Sequence, residues 1–242
     1  MEEFDDLVES DQEKLGRQLA THPLLRELLN KLFKFNRKVI ESEQFRIRSR
    51  IASSLLHLSN RLFFRGYIHI LQFHDIEAMS LFRSALETAA YSYTLGKNHN
   101  LIPIYLKRNK DPKAFNKAFR DGGIKKKLFS KHPVLESLYD EYYDKFSIYA
   151  AHPNPEVLTA LVEIIEQPDG LQPRYHWYIK TIEQNPKSFV RIFVLGFFLQ
   201  LRTLEIFFEF LPSEFMQEEW ESIVENFQTA MQEYGFIKNL NA

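Results

Sequence analysis

The sequence predicts a mainly α-helical protein built as a multi-helix bundle, and three observations carry that reading. Apolar residues recur at spacings of three and four, as at Leu24, Leu25, Leu28, Leu29, Leu32, Phe33 and Phe35, which lines them along one side of a helix. Glycine is scarce at 8 residues, and several of the 10 prolines stand where periodic runs begin or end. Of 242 residues 45% are apolar, enough for one sizeable core.

Taken in order, residues 1–22 read as an acidic segment and 23–242 as a single helical-bundle domain. Helices are expected over 23–42 and 44–73, the second marked by Ile51, Leu55, Leu58 and Leu62. A third is expected from Asp75, which can accept hydrogen bonds from first-turn amides, to about Leu95, with Gly96 ending it. Between 101 and 151, Pro103, Asp111-Pro112, Gly122-Gly123 and Pro133 divide the chain into short helices, followed by a longer one from Pro133 to His152.

The stretch 157–178 fits two descriptions. Leu158, Leu161, Val162 and Ile165 suit a helical face, whereas the Val/Ile/Thr content and the Pro168-Asp169-Gly170 turn suit a small β-hairpin, the favoured reading. Asn185-Pro186 opens a strongly apolar helix to about Leu211. Large side chains occupy its every face, so it should be central or shared with a second copy in a homodimer. Ser213 caps a last helix ending at Gly235.

The absence of Cys excludes disulfides, thiolate metal sites and cysteine nucleophiles. The acidic start, MEEFDDLVESD, is unlike a basic presequence, and a cytoplasmic location is the expectation. Only ten uncharged residues separate Arg191 from Arg202, about half of the roughly 20 that cross a bilayer, so no membrane partner is expected.

Charge is segregated behind a net value of −1. Residues 1–25 hold seven acids and two bases, and residues 212–242 six acids and Lys238. Residues 26–65 hold ten bases against three acids, and 105–132 ten bases against Asp111 and Asp121. Concentrated positive surface attracts an acidic protein or nucleic acid, with Arg120, Lys125, Lys126, Lys127 and Lys131 as the candidate contact. The alternative is that the acidic ends fold back and neutralise the basic zones.

No phosphate-cradling glycine loop is present, and none of the eight histidines follows an acid by three residues, the spacing of di-iron bundles. His69, His74, Asp75 and Glu77 come nearest to a metal set, but on one continuous helix the histidines would lie some 140° apart. No metal or cofactor is expected. The informative segment is DIEAMSLFRSALETAAYSYTL, where Arg83 and Glu87 share a helix face at i and i+4. Later, YDEYYDKFSIYAAHPNP sets Tyr143 and Ser147 on one face and delivers His152 at a helix end, where the dipole favours imidazolium.

The Arg-Ser-x-x-Glu helix followed by Ser-x-x-x-x-His-Pro resembles a group of bacterial helical proteins related to the HEPN superfamily, over about residues 45–155. That resemblance implies a bacterial bundle, often dimeric, in a superfamily whose active members are metal-independent ribonucleases with Arg-x(4–6)-His on one helix. Arg17–His22 and Arg50–His57 have that spacing, as many pairs as composition alone produces. Two functions are therefore expected. The first is a helical interaction module, regulatory or defence-associated, with a basic surface for an acidic partner or nucleic acid. The alternative is a HEPN-like ribonuclease in which His152 exchanges a proton, Arg83 stabilises phosphorane charge, Glu87 orients Arg83, and Tyr143 and Ser147 donate from the pocket wall. Arg83, Glu87 and His152 would equally serve as a buried polar knot between two helices.

Overall fold

The computed structural model describes residues 2–41, 49–119, 162–167, 170–175, 186–210 and 217–235. Its helices are α1 (Glu2–Thr21), α2 (Pro23–Glu41), α3 (Arg50–Leu71), α4 (Asp75–Lys97), α5 (Ile102–Leu106), α6 (Pro112–Phe119), α7 (Pro186–Phe207) and α8 (Gln217–Glu233). Single 3-10 turns precede α5 and follow α7. The multi-helix bundle that the apolar periodicity predicts is the observed architecture. The favoured hairpin is also present: β1 (Val162–Gln167) pairs antiparallel with β2 (Gly170–Tyr175), Val162 opposite Tyr175 and Gln167 opposite Gly170.

The scaffold is the antiparallel pair α3 and α4. Small residues every seventh position on α3, namely Ala52, Ser59 and Gly66, are buried and let the two backbones approach. The Ser59 hydroxyl donates to the Ala85 carbonyl at 2.8 Å, and Ser92 donates to the Ala52 carbonyl at 2.6 Å. Each bond satisfies a buried hydroxyl that would otherwise be costly to desolvate.

Against this pair lies α7, the helix with apolar side chains all round. None of its described side chains is exposed, and Phe193, Phe197 and Phe207 are fully buried, so it is a central element. Phe193 and Phe197 pack on Tyr67, with ring centroids 5.1 and 6.4 Å away. Gln200 accepts the Tyr67 hydroxyl at 2.9 Å. Burial pushes the Tyr67 pKa upward, so the phenol stays a donor there.

On the other side α8 closes over α2. Phe35 meets Trp220 at 5.4 Å, while Phe227 stacks on Phe197 at 5.0 Å. Lys38 pairs with Glu219, Lys31 donates to Ser222 at 3.3 Å, and His22 meets the Tyr234 hydroxyl at 3.2 Å. An acidic end of the chain thus covers part of the first basic zone. Three of that zone's bases are engaged, Lys31 also reaching Glu27 at 3.2 Å and Arg37 reaching Glu41 at 2.9 Å. The acidic first segment is itself a helix, whose Leu15 and Leu19 pack on the core.

Three details differ from the sequence reading. Gly96 lies inside α4, which ends at Lys97, because the Asn98 amide still bonds the Thr94 carbonyl and carries the ladder past the glycine. The apolar helix ends at Phe207 and tightens into a 3-10 turn at Phe208–Phe210. His69 and His74 do not share one helix. The chain leaves α3 after Leu71 and reverses through Phe73, whose φ of 65° is left-handed, bringing the two imidazole centroids to 5.7 Å. The expected helix 133–152 and the Ser213 cap lie outside the described residues. Among the described residues no helix is long and apolar enough to cross a membrane.

Candidate functional site

Where the chain leaves α4 it turns through Asn98, whose side chain accepts the Asn100 amide, into α5 with Pro103 in its first turn. Asp111 then caps α6, its carboxylate accepting the Ala114 amide at 3.0 Å ahead of Pro112, a residue suited to a first helical position. This short excursion folds back on α4 through four aromatic rings. Tyr91 meets Tyr105, Phe115 and Phe119 at 5.6, 5.8 and 5.6 Å, and Phe115 stacks on Phe119 at 4.9 Å. The cluster fixes the distance between the α3–α4 scaffold and the α5–α6 excursion.

Between them runs an open groove of about 530 Å³. Leu55 and Leu58 of α3 form one apolar wall, Ser84, Glu87, Thr88 and Tyr91 of α4 a polar floor, and Arg108, Asn109 and Asn116 the opposite lip. Glu87 accepts the Tyr91 hydroxyl at 2.7 Å, which holds the carboxylate along the floor. The Arg108 guanidinium stands 4.8 Å over the Tyr105 ring, a cation–π contact that orients an exposed cation at the groove mouth. Thr88 turns its hydroxyl back to the Ser84 carbonyl at 2.6 Å.

Of the residues singled out from sequence, Arg83 and Glu87 are both half-buried on α4. Their i, i+4 spacing in an apolar helix predicts bonds to each other or to the 143–152 segment; no described ion pair joins the two, Glu87 accepts a hydrogen bond from Tyr91, and residues 143–152 lie outside the described residues. Tyr143, Ser147 and His152 lie outside the described residues, as do Arg120, Lys125, Lys126, Lys127 and Lys131. The described part of the second basic zone carries Lys107, Arg108, Lys110, Lys113 and Lys117, all exposed. None of the five has an acidic partner among the described residues. Asp111, the acid between them, is committed to its helix cap.

The groove residues that sequence reasoning missed include Tyr91, Tyr105, Asn109, Phe115 and Asn116. Lys107 and Arg108 were visible as charge, but a ring cluster assembled from two ends of a turn leaves no local signature.

No protein-family model, curated protein or solved structure matches this chain.

The α3–α4 junction gathers a second set of titratable groups. His74 Nε2 lies 3.4 Å from Asp11 of α1. Burial, with His74 nearby, lowers the His69 pKa, and burial raises that of Asp75 to about 6 against the hydrogen bonds its carboxylate takes from backbone amides. Among the described residues no group of three His, Asp or Glu side chains is placed to hold a metal ion.

Proposed function

We propose that the chain is a cytoplasmic helical interaction module that uses the face formed by α5, α6 and the adjoining groove to engage an acidic protein or nucleic acid. One observation carries the reading: five exposed bases stand together over residues 107–117, and no described acid neutralises them. The contrast with α2 is informative, since there an acidic helix of the same chain already occupies part of the positive surface. Unpaired cations around a groove attract polyanions over the distance of a Debye length and release counterions on contact. Arg108 on Tyr105 adds a flat cationic surface suited to phosphate or carboxylate. A homodimer belongs to the same reading, with Leu58, Ile68 and Leu106 as exposed apolar surface for a second copy.

Gel-shift titration of single-stranded RNA, duplex DNA and polyglutamate at two salt concentrations tests it. Retention should weaken steeply with salt, and Ala at Lys107, Arg108, Lys110, Lys113 and Lys117 together should abolish it or flatten the salt dependence. No retention of any polyanion at low salt would sink the proposal. Light scattering reports the dimer.

The second reading is a metal-independent ribonuclease on the HEPN pattern, favoured by the position of Glu87 on the floor of an open groove rather than inside a closed core. It requires cleavage of RNA in the presence of a chelator, with activity lost in Arg83→Ala and His152→Ala while both variants still melt cooperatively.

A further inference from the structure

Three of the four large apolar side chains that stand exposed among the described residues, Phe33, Leu58 and Ile68, lie on the outer side of α2 and α3. On α3 the spacing Leu58, Arg61, Arg65, Ile68, in steps of three and four, puts two exposed arginines and two exposed aliphatic groups on one stripe about 15 Å long. His57 stands exposed beside it, and α3 contains no Asp or Glu over its whole length. None of the described ion pairs involves Arg61 or Arg65. Next to the stripe a cavity of about 290 Å³ opens between α2 and α3, with Phe33, Ile40 and Phe64 as its apolar wall. Phe33 and Phe64 meet there edge to face, with centroids 5.2 Å apart.

Two copies of the chain joined through this stripe alone would set Arg61 and Arg65 against their own counterparts, a like-charge contact that opposes association. A second copy must bring acids, and α1 carries them. Residues 2–10 of that helix hold five acids and no base, with Phe4, Leu7 and Val8 at spacings of three and four. Nine helical residues span about 13 Å, close to the length of the cationic stripe. Within one copy α1 leads away from Phe33. Leu15 and Leu19 seat its second half on the core, and Asp11 has already reached His74 at the α3–α4 turn, 3.4 Å away. From Thr21, beside the start of α2, to Asp11 the helix therefore runs away from α2, and residues 2–10 continue in that direction.

We infer that a second copy docks through this segment: in a homodimer, residues 2–10 of each copy lie across the Leu58–Ile68 stripe of the other, acids against Arg61 and Arg65 and Phe4 toward the cavity beside Phe33. The inference rests on the homodimer reading above and supplies its contact. The exchange is reciprocal, so a two-fold axis closes the pair and leaves neither stripe open. The same chemistry already works within one copy, where the acidic helix α8 sets Trp220 on Phe35 of α2 and Glu219 on Lys38. Nucleic acid suits the stripe less well, since Leu58 and Ile68 offer nothing to a phosphate backbone, and a bilayer would leave the concave apolar wall unfilled.

Sedimentation velocity on the full chain, over a concentration series at low and high salt, reads the dimer. Association should weaken as salt rises. Arg61→Glu with Arg65→Glu should weaken it by about tenfold or more, and Asp5→Lys with Asp6→Lys by a similar factor. Arg61 and Arg65 are exposed, so the first double variant keeps the fold, which thermal melting verifies. A one-to-one mixture of the two double variants should dimerise again, because each native segment then meets a native stripe and each reversed segment a reversed one. Phe4→Ala should weaken the dimer several-fold. A parent dimer that survives both reversals, or reversals that the mixture does not rescue, would overturn the inference while the homodimer stands. A parent that stays monomeric at every concentration would overturn both and leave the stripe to a different acidic helix or to nucleic acid.

Discussion

Phe82 is fully buried where three helices meet, and two glycines make its position available. A Cβ at Gly66 of α3 would stand 2.8 Å from Phe82 Cδ1, and one at Gly196 of α7 would stand 2.6 Å from Cε2. The ring therefore occupies the volume that two side chains would have filled. Gly196→Ala should destabilise the protein by roughly 1–3 kcal/mol through overpacking, more than the gain of about 1 kcal/mol that alanine brings to a helix interior. In a Phe82→Leu background the clash is relieved, and the same Gly196→Ala change should become neutral or stabilising. Urea denaturation of the four proteins gives the coupling directly. Equal costs in both backgrounds would show that the ring does not depend on the missing Cβ. Neither glycine stands out in the sequence, where each is only a weak position in an apolar helix, because the side chain it admits comes from another helix.

At the scale of elements, local chemistry predicted what it controls. Pro23, Asp75, Pro112, Pro186 and Gly235 mark helix ends in the sequence and do so in the structure, Gly235 with φ 74°. The hairpin follows from its turn residues for the same reason. The geometry of partners is less legible from local sequence. Glu87 has Arg83 four residues before it and Tyr91 four residues after it, and it is the Tyr91 hydroxyl that donates to its carboxylate, a choice the spacing alone does not make. On one continuous helix His69 and His74 would diverge, and Phe73, a bulky aromatic, is a poor candidate for the left-handed residue that ends a helix. The turn is nevertheless of that kind: the Phe73 amide bonds the Ile70 carbonyl at 2.9 Å and the His74 amide bonds the His69 carbonyl at 2.7 Å. Phe73 is tolerated because its ring packs against the core. Phe73→Gly and Phe73→Ala both lose that packing, but only glycine escapes the left-handed penalty, so the Gly variant should be more stable than the Ala variant by about 1 kcal/mol. Thermal melts that place Ala level with Gly would remove the strain from this account.

For the whole molecule, the same junction writes a pH dependence into folding. Asp75 is 7% exposed, and its carboxyl is raised to about 6 from 3.8 by burial. A raised acid binds its proton more tightly when folded, so its contribution is fully present below the unfolded value and is lost as pH climbs through about 6, on the order of 3 kcal/mol in all. His69 runs the other way. Its pKa is depressed by burial and by His74, so it favours the native state above 6.5 and withdraws that support as pH falls through its folded value. These opposed contributions overlap between the two unfolded values and blunt one another in the intact protein. Asp75→Asn keeps an acceptor for the first-turn amides of α4 while removing the buried charge. It should therefore stabilise the protein at pH 7 by a few kcal/mol at most and expose the His69 dependence, with stability falling more steeply on acidification than in the parent. His69→Gln should do the reverse, leaving a protein that gains stability as pH drops from 7 toward 4 until other carboxylates protonate. Denaturant midpoints at half-unit pH steps separate the two. If the Asn variant gains nothing at pH 7 and follows the parent curve throughout, burial at Asp75 does not set the acid response of this fold.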